Sequence, residues 1–108
     1  MKISEATIEH LIDFIQTSCW TSEARTEERY ETTQGEYDLE INFTIYSELV
    51  IFDEPHTELA CNNIEHTSFW QPFGVEITSA TAWNEDGDEE KITNINDVSS
   101  RIENIKFN

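Results

Sequence analysis

The sequence predicts an α+β domain, with an N-terminal amphipathic helix packed on one antiparallel sheet of four to six strands and a short C-terminal helix. Three observations carry this. Apolar residues recur at helical spacing near the start, they alternate with polar residues from Tyr37 onward, and helical spacing returns after Asp97. At 108 residues the chain suits one acidic domain, 1–108, and is short for two well-buried ones.

Ser4 to about Cys19 reads as the first helix. Ile8, Leu11, Ile12, Ile15 and Cys19 fall at three- and four-residue steps. Ser4 is a good N-cap, Ile3 is placed to staple onto Ile8, and Glu5 and Glu9 suit the positive end. Phe14 lies off the main stripe and widens the buried face.

Strands follow. Arg25 to Thr33 is polar but carries Thr and Tyr, with a turn at Gln34-Gly35. Tyr37, Leu39, Ile41, Phe43 and Ile45 then alternate with Asp38, Glu40, Asn42 and Thr44, a strand with one wet face. Tyr46 breaks the phase, so a bulge near Ile45-Tyr46 or a turn at Ser47-Glu48 is expected. Asp53-Glu54-Pro55-His56 reads as a turn, and Thr57 to His66 as a weaker strand. Thr67 to Gly74 reads as a loop holding Phe69, Trp70 and Phe73 around Pro72.

Val75, Ile77, Ser79, Thr81 and Trp83 alternate on one side of a further strand. Asp86-Gly87 makes a turn into a return strand near Lys91 to Ile95. Asp97 caps a helix bearing Val98, Ile102 and Ile105; a final strand through Ile102 to Phe107 is the competing reading.

Charge excludes several functions. Acids number 23 against 6 lysines and arginines, a formal net charge of -17. Nucleic acid gripped through its phosphates and an anionic membrane surface are both disfavoured. The apolar share of 37%, with three Trp, three Tyr and six Phe, argues against a disordered acidic tail. No signal peptide and no membrane-length apolar run is visible, and Cys19 and Cys61 are expected to stay reduced, so the expected location is cytoplasmic.

Motifs for catalysis are missing. Gly35, Gly74 and Gly87 form no phosphate loop. His10, His56 and His66 show no zinc-ligand spacing, and His10 beside Asp13 fits a solvated helix surface. The Asn84–Glu90 block is acidic enough for calcium, but Gly87 comes too early and Ile95 stands at the twelfth position. Cys19 at a helix C-terminus among acids is disfavoured as a thiolate. No enzyme, cofactor or metal is expected.

The remaining signal is an ordered acidic surface. Asp38 and Glu40 project from one strand face at intervals of about 6.6 Å. Glu5, Glu9 and Asp13 line a helix flank, and Glu85, Asp86, Asp88, Glu89 and Glu90 crowd a turn. Such rows suit a basic protein, including a nuclease or nucleic-acid-binding protein whose groove they would occupy in place of phosphate. Glu27 and Glu31 extend the strand row, although Arg29 interrupts it. A toxin-neutralising or adaptor protein has the same physics. A small assembly protein would instead use Phe69, Trp70 and Phe73 as a hydrophobic contact. The plainer explanation is that acids cover whichever surfaces are wet.

Overall fold

Ser4 starts the first helix as its side chain predicts. The Thr7 amide donates to Ser4 Oγ at 3.2 Å, and the Ile8 amide donates to the Ser4 carbonyl at 3.0 Å. The structure, a computed structural model, describes residues 1–18, 21–55 and 64–107. Helix α1 spans Glu5–Ser18 and buries Ile8, Leu11 and Ile15. Phe14 packs its ring 5.0 Å from Tyr30 and 6.3 Å, edge-on, from Phe43. The helix therefore lies on the sheet face that alternation assigns to Leu39, Ile41, Phe43 and Ile45, all buried.

The sheet is antiparallel and curled, in the order β1-β2-β3-β4. Its strands are β1 (Arg25–Gln34), β2 (Tyr37–Pro55), β3 (Ile64–Trp83) and β4 (Glu89–Glu90). Gln34 pairs with Tyr37 across a two-residue turn. Gly35 holds φ 62 there and no non-glycine among the described residues has positive φ, the combination of a type II′ hairpin. Helix α2, Ile95–Glu103, closes the core with Val98 and Ile102. The C-terminal helix reading thus holds over the strand alternative.

Several local expectations are corrected. Thr67–Gly74 is part of β3, and Pro72 sits opposite Ser47. Proline is tolerated because the far side of β3 has no strand along this stretch among the described residues. β2 continues through Asp53 and Glu54, with Pro55 opposite Ile64, so no turn begins at Asp53. The expected strand at Thr57–His66 falls mostly outside the described residues; its last part, from Ile64, opens β3. Cys19, Cys61, Trp20 and His56 also lie outside them.

The break in phase at Tyr46 is a bulge, with the extra residue on β3. Tyr46 faces Gly74 but Ser47 faces Pro72, leaving Phe73 unopposed. A second shift leaves Thr78 unopposed between Asn42 and Phe43. That bulge reverses the expected alternation: Val75 and Ile77 stay on the core side, which then continues through Ala80 and Ala82. Ser79, Thr81 and Trp83 move to the outer face.

The return strand is shorter and earlier than Lys91–Ile95. The turn is a three-residue loop in which the Asn84 amide donates to the Asp88 carbonyl at 2.9 Å and Gly87 takes φ 82. Residues after Glu90 pair with the chain's start instead. Met1 N donates to the Lys91 carbonyl at 2.7 Å and the Thr93 amide to the Met1 carbonyl at 2.8 Å. The Asn94 amide group bonds both backbone groups of Ile3 at 2.9 Å. Gln34 does the same for Ser4 N and Lys2 O. Asn94, not Asp97, occupies the N-cap of α2, and Asp97 lies in its first turn.

Strand lengths then fix the shape. β1 begins at Arg25, opposite Tyr46, whereas β2 and β3 pair on to Pro55 and Ile64. The paired segments Ser47–Pro55 and Ile64–Pro72 extend past the layered body as a two-stranded ribbon. The molecule measures 70 × 22 × 19 Å with a radius of gyration of 19.2 Å, against about 13 Å for a compact chain of this length.

Candidate protein-binding surface

The ribbon inherits a face from the core. Side chains at Leu39, Ile41, Phe43 and Ile45 are covered by α1, and Ser47 is buried by the chain before β1, its Oγ lying 2.9 Å from Thr21 Oγ1. The same alternation brings up Leu49 and Ile51, now without that cover. Leu49 is 47% and Ile51 60% exposed. Phe69 is 40% exposed on the opposite face, and bulged Phe73 is 62% exposed. Trp70, opposite Leu49, is half-buried. Leu49, Ile51, Phe69 and Phe73 are the large exposed apolar side chains among the described residues, and they gather on the arm and at its base.

Phe69 and Phe73 therefore do not sit in a loop beside the core. They stand on a strand that leaves it. Leu49 and Ile51 join them, and sequence reasoning missed this pair because Leu49–Phe52 is apolar throughout. The missing cover was visible only in the mismatch between a ten-residue β1 and a nineteen-residue β2.

The acids do not converge on one row. Asp38 and Glu40 lie on the outer face, away from the helix. Glu5, Glu9 and Asp13 are exposed along α1, on the other side of the sheet. Glu5 is engaged by Arg101 of α2 at 2.5 Å, which raises the pKa of that guanidinium. Glu40 accepts from Arg29 Nε at 3.0 Å, and Arg29 also bonds Asn42 Oδ1 at 3.2 Å and pairs with Glu31 at 3.5 Å. The expected cation does sit within the strand row.

At the end of the sheet remote from the ribbon the acids are denser. Asp38 opposes Trp83, and Trp83 opposes Glu89, so the three share the outer face. Glu31, Asp38, Glu40 and Trp83 line an open hollow of about 350 Å³. Beside it, Asn84 Oδ1 accepts from the amides of Asp86 and Asp88, both at 3.0 Å, and Asn84 Nδ2 donates to Glu90 Oε1 at 3.1 Å. This fixes the turn and leaves Glu85, Asp86, Asp88 and Glu89 in water.

Charge also distinguishes the ribbon. No lysine or arginine occurs between Arg29 and Lys91. Glu48, Asp53, Glu54 and Glu65 belong to the paired segments, so the arm is apolar and anionic with no lysine or arginine of its own. This gap was legible in the sequence, as a stretch lacking cations.

Among the described residues no group of three His, Cys, Asp or Glu is arranged to hold a metal ion, and no helix is long and apolar enough to cross a membrane. No known protein family, curated protein or solved structure matches this chain.

Proposed function

We propose that this protein is an acidic binding module, without catalysis of its own, that docks a basic protein through its projecting ribbon. The observation that carries this reading is the arm itself, where Leu49, Ile51 and Phe69 are exposed beyond the body, with Phe73 exposed at its base, on a segment without lysine or arginine. Exposed apolar side chains supply contact area, and the surrounding field steers and selects a cationic partner. A reducing, cytoplasmic setting suits the sparse cysteines.

A nuclease or nucleic-acid-binding protein is the partner class that best suits a field of -17. Occupation of its groove in place of nucleic acid would use the acidic end around Asp38, Glu89 and the Glu85–Asp88 turn. Division of the acids between two faces, with Arg29 among them, makes the ribbon the stronger anchor and the acids the guide.

The test is capture from lysate on immobilised protein at about 0.1 M salt and release at about 0.5 M, with an Ile51→Ser/Phe73→Ser column in parallel. The reading expects a basic protein retained on the first column and lost from the second. Competing duplex DNA then reports whether the bound groove is a nucleic-acid site. Equal retention by both columns would remove the ribbon from the account.

A further inference from the structure

The ribbon offers more than side chains, because one of its backbone edges is open. Gln34 and Tyr37 close the β1–β2 hairpin as a bonded pair, so odd-numbered residues of β2 turn their amides and carbonyls toward β1. The Ser47 amide continues the rule, donating to the Ala24 carbonyl at 2.9 Å. By the same alternation Leu49 and Ile51 aim their N–H and C=O groups to that side. β1 has ended there, and among the described residues nothing pairs with them.

The other edges are guarded. The free side of β3 carries Pro72 and the bulges at Phe73 and Thr78, which disrupt regular pairing. β1 bears the exposed charges Arg25, Glu27, Arg29 and Glu31. The β2 edge from Glu48 to Phe52 has no proline, lysine, arginine or bulge on β2 itself.

We propose that this edge of β2 accepts an extended segment of the basic partner as an added strand, continuing the line of β1. Main-chain bonds to Leu49 and Ile51 give affinity. Apolar side chains of the added strand lie beside Leu49 and Ile51, and its lysines or arginines meet an arm that has neither. This names the docking mode of the proposed module and rests on that reading. A second copy of the chain is a poorer occupant, since two bodies of charge -17 repel.

The test uses the full chain and a strand-length peptide alternating lysine with valine. A second peptide is N-methylated along one edge, which keeps charge and side chains but removes the donors. Ile51→Pro makes the matching change in the protein: the Ile51 N–H lies outside the β2–β3 ladder, so the ribbon's own bonds survive. Unchanged amide spectra of the body verify its folding.

The expected result is protection of the Leu49 and Ile51 amides by the first peptide. N-methylation and Ile51→Pro should each weaken binding about tenfold. Equal binding of both peptides with those amides unprotected would overturn strand addition while leaving the basic-partner reading intact. Failure of both peptides to bind would overturn both readings. Self-association without peptide, lost in Ile51→Pro, would assign the edge to a second copy instead.

Discussion

Thr44 is fully buried, and its Oγ1 has no hydrogen-bond partner among the described residues. A buried hydroxyl without a partner costs about 1–3 kcal/mol. Thr44→Val keeps the β-branched shape and removes the orphan, so it should raise stability by about 1 kcal/mol in denaturant unfolding. A loss of stability would reveal a partner for the hydroxyl. Two residues on, Tyr46 donates to Glu76 Oε2 at 3.0 Å. That bond, then desolvation and the Glu76 charge, raises the pKa of the phenol. The folded state therefore holds the proton more tightly than the unfolded chain. Its contribution is complete below about pH 10 and is lost as pH rises through the folded value. Tyrosinate absorbance should show Tyr46 titrating late, and Glu76→Gln should bring it back toward the ordinary value.

Among the elements, the body and the ribbon differ in what holds them. Phe43 and Ile41 are paired on both sides and covered by α1, whereas Leu49–Ile51 has one neighbouring strand and exposed side chains. A two-stranded ribbon alone is marginal in water. Hydrogen exchange should therefore be slowest at Leu39–Phe43 and much faster at Leu49–Ile51. Equal protection would mean that a partner or a second copy already covers the arm. The elements differed in how readily they could be read. α1, its Ser4 cap and the Tyr37–Ile45 alternation follow from local chemistry, and the sequence predicts them closely, except that Thr44, expected on the wet face, is buried. The Phe69–Phe73 strand did not, because Pro72 and clustered aromatics look like a loop when the long partner β2 is unseen. Thr78 gives no local sign of its bulge, so Ala80, Ala82 and Trp83 were assigned to the wrong faces. The clamps of Asn94 on Ile3 and Gln34 on Ser4 join segments far apart in sequence, which periodicity cannot register.

For the whole molecule, shape and charge act together. A 70 Å particle built from 108 residues leaves much of its length outside the layered core. Self-repulsion within a chain of charge -17 favours such separation and opposes folding back. The acidic candidates from the sequence are ordered, but they are spread over both sides of the sheet and around the Asn84 turn. The apolar side chains that a partner would contact are instead concentrated at the arm. The most direct measurement is an amide-shift titration of the labelled full chain with a basic, apolar peptide. The account predicts the largest changes at Ser47–Ile51 and Ser68–Phe73, with smaller, salt-sensitive changes at Glu85–Glu90. Changes confined to Glu85–Glu90 and the Glu5–Asp13 flank, with a silent ribbon, would contradict it.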